Sequence, residues 1–116
     1  MNSIPGDDRE DIDVEADGTT TVVRPYGEMD MTRADEFRQV LLAALSTGGP
    51  GHHVVVDLRY LSFCDSSGLN ALLAARATAA ETGRHLSLAA PTSQFLRLLE
   101  ITGIPDLFPI AQLPPP

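Results

Sequence analysis

Two hydrophobic periods alternate along this 116-residue chain. "IDVEA" and "TTTVVR" have the short period of half-buried strands and flank Asp17-Gly18, a pair that tolerates the positive φ of a hairpin turn. Pro25 brings no amide hydrogen to a ladder, so the second strand should end or bulge there. The period then lengthens. Thr32 is placed to cap a helix, with Asp35 near the free amides of its first turn, and Ala34, Phe37, Leu41, Ala44 and Leu45 fall on one helical face. Gly48-Gly49-Pro50 stops it. "HHVVVDL" is a short unbroken apolar run, the pattern of a strand buried on both faces. A second helix is predicted to start near Ser66, with Leu69, Leu72, Leu73 and Ala80 as its apolar stripe and Gly83 at its end. "HLSLAA" reads as another buried strand. Pro91-Thr92-Ser93 opens a third helix, with Phe95, Leu98 and Leu99 inward and Gly103 after it, and "LFPI" reads as a last short edge strand.

The predicted order is β-β-α-β-α-β-α, an α/β fold. A hairpin followed by crossovers gives a mixed central β-sheet, and two right-handed crossovers moving the same way along it place the helices mainly on one face. The length fits one domain. Residues 1–10 have little to bury and are expected to form a disordered acidic lead. Residues 11–112 form the domain, and residues 113–116, which end in three prolines, form a Pro-rich tail.

Charge narrows the function. The net charge is -8, and residues 1–17 hold seven acids against the single base Arg9. Phosphate would be repelled, so nucleic acid is not an expected partner. No apolar run approaches the length of a membrane span, the N-terminus has no signal-peptide pattern, and the lone Cys64 precludes an internal disulfide. A cytoplasmic location is expected.

The candidate chemistry lies in "FCDSSGLNALL", where Ser66 and Ser67 stand between Asp65 and Gly68 at a predicted helix start. A nucleophilic Ser on such a turn needs small flanking residues and a general base. Cys64 stands two before Ser66, and His52, His53 and His85 fall at the far ends of the strands. A phosphoacceptor Asp57 at the end of "VVVDL" would need a paired acid and a Lys, and all eight basic residues are Arg. His52 and His53 are adjacent, so in a strand they point to opposite faces, and the chain offers no metal-ligand spacing. Neither a catalytic residue nor a cofactor or metal site is expected. Two readings of Ser66 stay open. Asp65 or Ser66 caps the helix, or Ser66 is modified, since a helix N-terminus accommodates phosphate. Gly68 early in a helix costs about 1 kcal/mol relative to Ala and permits close approach of another surface.

"VVVDLRYLSFCDSSGLNALL" resembles the central signature of the anti-sigma factor antagonists, the small bacterial domains called STAS. "YGEMDMTRADEFRQVL" resembles their "GELD" segment and the helix after it, and "SLAAPTSQFLRLLEITGIPDLFPI" resembles their closing strand and helix. Pro25, Tyr26 and Met29 depart from the pattern. The resemblance implies a non-enzymatic partner switch. The unphosphorylated domain binds an anti-sigma factor, a Ser kinase of the histidine-kinase-like ATPase fold, and frees a sigma factor for RNA polymerase. The kinase phosphorylates the first Ser of Asp-Ser-Ser-Gly, here Ser66, and a Ser phosphatase reverses it. ATP and Mg²⁺ belong to the partner. The resemblance assigns Asp30, Asp57, Asp65, Ser66, Ser67 and Gly68 to the partner-binding region and leaves the oligomeric state open. The alternative it allows is a STAS scaffold or accessory subunit of a lipid transporter or stress-signalling complex.

Overall fold

The computed structural model describes residues 9–112. The elements run β1 (Ile12–Asp17), β2 (Thr20–Pro25), β3 (Gly27–Met29), α1 (Ala34–Ser46), β4 (His53–Asp57), β5 (Leu61–Cys64), α2 (Ser66–Glu81), β6 (His85–Ala89) and α3 (Ser93–Ile101). A four-stranded sheet has the order β1-β2-β4-β6, with β1 antiparallel to β2 and the other pairs parallel. The mixed sheet predicted from the hairpin and the crossovers is therefore present. The hairpin closes over Gly18-Thr19, one residue later than expected, with positive φ at Gly18 and not at Thr19, the pattern of a type II′ turn.

Two elements lack a counterpart in the sequence pattern. β3 and β5 form a separate parallel pair just beyond the ends of β2 and β4, with a register shift between Gly27 and Glu28. In the other direction, "LFPI" yields a single bridge, Leu88 to Ile110, rather than a strand.

The sheet residues of the core, Val23, Val54, Val56, Leu86 and Leu88, share one face through the strand register. Phe37, Leu41, Ala44 and Leu45 of α1, Leu69, Leu72, Ala75 and Ala79 of α2, and Phe95 and Leu99 of α3 close that core. The other face carries polar pairs. His53 Nε2 lies 2.6 Å from Ser87 Oγ, and the wholly buried Asp57 carboxylate meets Arg24 at 3.2 Å and Arg59 at 3.3 Å. His52 turns the opposite way, to Thr21 Oγ1 at 2.8 Å, as adjacent strand residues must. The predicted α2 stripe is displaced in part: Leu73 is half-buried and Ala80 exposed, while Ala71, Ala75 and Ala79 are buried. Small residues let α2 sit close to α1 and the sheet.

Residues 1–8 of the predicted lead and the 113–116 tail fall outside the described residues. Residues 9 and 10 are tied to the domain. The Arg9 guanidinium lies 3.8 Å from the Tyr26 ring centre, Tyr26 stacks on Tyr60 at 4.9 Å, and Arg33 donates to the Glu10 carbonyl. Among the described residues no helix is long and apolar enough to cross a membrane.

Candidate functional site

The site grows from a helix start. Asp65 is the N-cap of α2, with extended backbone, and its Oδ1 accepts from the amides of Ser67 at 2.8 Å and Gly68 at 3.3 Å. Those donors have no partner within the helix. Ser66 is the first helical residue and is exposed, and among the described residues its hydroxyl makes no hydrogen bond. Of the two capping choices open in the sequence, the structure takes Asp65.

The loop carrying Ser66 is held on three sides. On one, the Asp65 amide donates to the Met29 carbonyl at 3.1 Å, extending the β3–β5 ladder. On another, Gln94 of α3 brackets Cys64. Its Oε1 accepts from the Cys64 amide at 2.9 Å and its Nε2 donates to the Cys64 carbonyl at 2.7 Å. A side-chain amide thus substitutes for a strand on the open edge of β5. Beneath, Gly68 is buried, and a Cβ there would come within 2.6 Å of Cys64 Sγ and 2.8 Å of Met29 Cγ. Packing inside the domain favours this glycine. Cys64 is wholly buried, and burial, with the Asp65 charge adding to it, pushes its thiol pKa up to about 12. Such a thiol packs rather than reacts.

Asp30 lies at the start of α1. Its Oδ1 accepts from the Thr32 hydroxyl at 2.6 Å and the Thr32 amide at 3.0 Å, and its carbonyl accepts from the amides of Arg33 and Ala34. These bonds from Thr32, hydroxyl first, hold the Asp30 carboxyl below the ordinary carboxylate range. The expected Thr32 cap is absent. Arg33 occupies the N-cap position without a side-chain capping bond, and the Thr32 hydroxyl is taken by Asp30.

Met31, 77% exposed, rises beside that turn. Met31, Ala34, Asp35 and Arg38 of one helix start and Ser67, Asn70 and Ala71 of the other line a groove of about 340 Å³. Asp30, Asp65, Ser66 and Ser67 therefore belong to the two helix starts that flank it. Asp57 is different. Its carboxylate has no exposure, and a partner would meet Arg24 and Arg59, which it holds. Gln94 is the residue that sequence reasoning missed. It acts across 30 positions and has no local signature.

The comparisons agree with this geometry. The family described as "Mlab, STAS domain" matches residues 12–110. An anti-sigma-B factor antagonist of Staphylococcus epidermidis is 29% identical over 85 residues, which are 73% of this chain and 77% of the relative. An anti-sigma factor antagonist structure from Mycobacterium paratuberculosis superposes with a TM-score of 0.69 at 29% identity, covering 94% of this chain and 89% of that one. The Bacillus cell fate determinant SpoIIAA in its phosphorylated form shares the fold, with a TM-score of 0.64 at 23% identity, covering 90% of this chain and 92% of that one. With the sheet order, the helix starts and a match over nearly the whole described domain in agreement, this chain belongs to the STAS domain family.

Proposed function

We propose that this chain is a bacterial, cytoplasmic anti-sigma factor antagonist. Its unphosphorylated form binds an anti-sigma factor Ser kinase of the histidine-kinase-like ATPase fold and so releases a sigma factor. Phosphorylation of Ser66 ends the binding, and a Ser phosphatase restores it. The observation that carries the reading is the division of labour at α2: Asp65 satisfies the free amides, and the exposed Ser66 hydroxyl is left over.

The physics of the switch follows from that position. A phosphoryl group adds about -1.5 to -2 charges at neutral pH. At the first residue of a helix it meets the positive end of the helix dipole, so the fold tolerates it. On a docked surface the same charge has to be desolvated or meets like charge, and a mismatch of that kind costs several kcal/mol. Met31 and the groove beside Ser67 give a partner an apolar anchor next to the modified position.

The test is incubation with ATP and the kinase encoded beside this chain's gene, followed by phosphosite mapping. Wild type and Ser67→Ala are expected to carry phosphate on Ser66, and Ser66→Ala to carry none. Phosphate on Ser67 alone would contradict the reading. A neighbourhood of transporter genes, with no kinase that modifies the chain, would favour the scaffold alternative.

A further inference from the structure

A second concavity opens away from Ser66, between the C-terminal half of α2, the Gly83-Arg84 turn, the start of β6 and the 107–109 segment. Its volume of about 540 Å³ lies within the range of small-molecule sites, roughly 300–1,000 Å³. Among the described residues every ionisable group lining it is a base: Arg76, Arg84, His53 and His85. That is unexpected in a chain with 16 acids and 8 arginines.

The two arginines also differ from most of the others. Arg9, Arg24, Arg38 and Arg59 each pair with a carboxylate. Among the described residues Arg76 and Arg84 meet backbone carbonyls only. Arg84 donates through Nε and Nη2 to Gly48 O and through Nη1 to Thr82 O, so its guanidinium is fixed in place with its charge uncompensated. Arg76 donates only through Nε, to Leu107 O at 3.2 Å, leaving both Nη groups available.

The sheet edge adds a donor. The Leu88 amide and carbonyl both turn outward, to Pro109 O and Ala111 N. Residues two apart in a strand point the same way, so the Leu86 amide faces outward as well, beside the cavity, where among the described residues no strand covers β6. Ala79, Leu86, Leu107 and Pro109 supply apolar walls.

We infer that this cavity binds a small multiply charged phosphate oxyanion, gripped by Arg76 and Arg84 with His85 and the Leu86 amide at its rim. A fixed guanidinium loses little entropy on binding, and planar forked donors match phosphate oxygens. The site is separate from the Ser66 surface and stands whether or not the proposed switch does.

The experiment uses the full chain, inorganic pyrophosphate as the probe, and amide and Arg Nε NMR spectra at constant ionic strength. Saturable shifts confined to residues 83–87 and to the Arg76 Nε signal are expected, with a midpoint below about 1 mM, the millimolar range being a weak but specific affinity. Arg76→Gln is expected to raise the midpoint about tenfold, the size of one lost charge-assisted contact. Arg84→Gln also removes the brace on Gly48, so Ala80→Glu is the second arm. It sets an acid at the exposed rim without touching a hydrogen bond, and should weaken binding as strongly while Ala80→Gln does not. Non-saturating shifts, equal shifts at Arg97, or wild-type titration by Arg76→Gln or Ala80→Glu would each overturn the inference and show pyrophosphate to be a nonspecific counterion.

Discussion

The starts of α1 and α2 use one local device in two ways. At each, an aspartate accepts from the amide two residues on, Asp30 from Thr32 and Asp65 from Ser67, and the residue between is exposed. At α1 that residue is Met31, and Asp30 also takes the Thr32 hydroxyl. At α2 it is Ser66, and Asp65 takes a second amide, from Gly68, instead of a hydroxyl. The first arrangement presents an apolar side chain beside a closed turn. The second presents a hydroxyl that the cap does not consume. The two starts lie on opposite sides of one groove, so under the proposed function a single partner would meet Met31 and Ser66 together.

The comparison can be broken most strongly from α3. Gln94→Ala removes both bonds to the Cys64 peptide and leaves two buried groups unsatisfied. The expected loss is about 2 kcal/mol by urea unfolding, within the usual cost of orphaned buried groups. Hydrogen exchange at Cys64 and Asp65 should quicken while exchange at the α1 start stays unchanged. Equal quickening at both starts would mean that Gln94 stabilises the whole domain rather than the Ser66 loop.

Gly68→Ala sharpens the same point. Overpacking costs typically about 1–3 kcal/mol, and replacing a helical Gly returns about 1 kcal/mol, so a net loss of about 1 kcal/mol is expected. A gain in stability would show that Cys64 and Met29 can yield. Asp65→Ala should cost about 0.5–2 kcal/mol, as lost caps do, and Asp30→Ala less than that in parallel unfolding curves.

Asp30 supplies a pH test. Its carboxyl is depressed by the Thr32 bonds. Its contribution is therefore fully present above the ordinary Asp range, near pH 4, and is lost as pH falls through the lower folded value. The Thr32 amide should titrate with a midpoint below that of an unstructured Asp. A midpoint at or above the ordinary value would remove the bond on which the comparison rests. Cys64 gives the smallest signal: native labelling by a thiol reagent at pH 8 should be far slower than labelling of the denatured chain, as burial of the thiol requires.

What the sequence disclosed follows the range of the forces. The hairpin, α1, β4, β6 and α3 were legible because their apolar spacing is local and each element is long enough to express it. A cap at Asp65 or Ser66 was legible for the same reason, since a cap and its amides lie within three residues, and the structure takes Asp65. β3 and β5 were hidden because three or four residues carry no readable period and their stability comes from pairing across more than thirty positions. Gln94 was hidden because its partner is equally remote. At the α1 start the local signal misled, because Asp30 holds the Thr32 hydroxyl that would have capped the helix. Asp57 was legible as a strand end, while its enclosure by Arg24 and Arg59 depends on the β2–β4 register and on the turn that follows β4.

The central claim is that a charge on Ser66 separates the domain from its partner without unfolding it. It is tested most directly by calorimetric titration of the anti-sigma kinase with this chain, unphosphorylated and then stoichiometrically phosphorylated on Ser66, with the melting curve of each form recorded alongside. The account predicts at least about a hundredfold weaker binding by the phosphorylated form, equivalent to about 2.7 kcal/mol, with a melting temperature within a few degrees of the unmodified chain. Equal affinities of the two forms, or loss of binding accompanied by collapse of the melting transition, would contradict it.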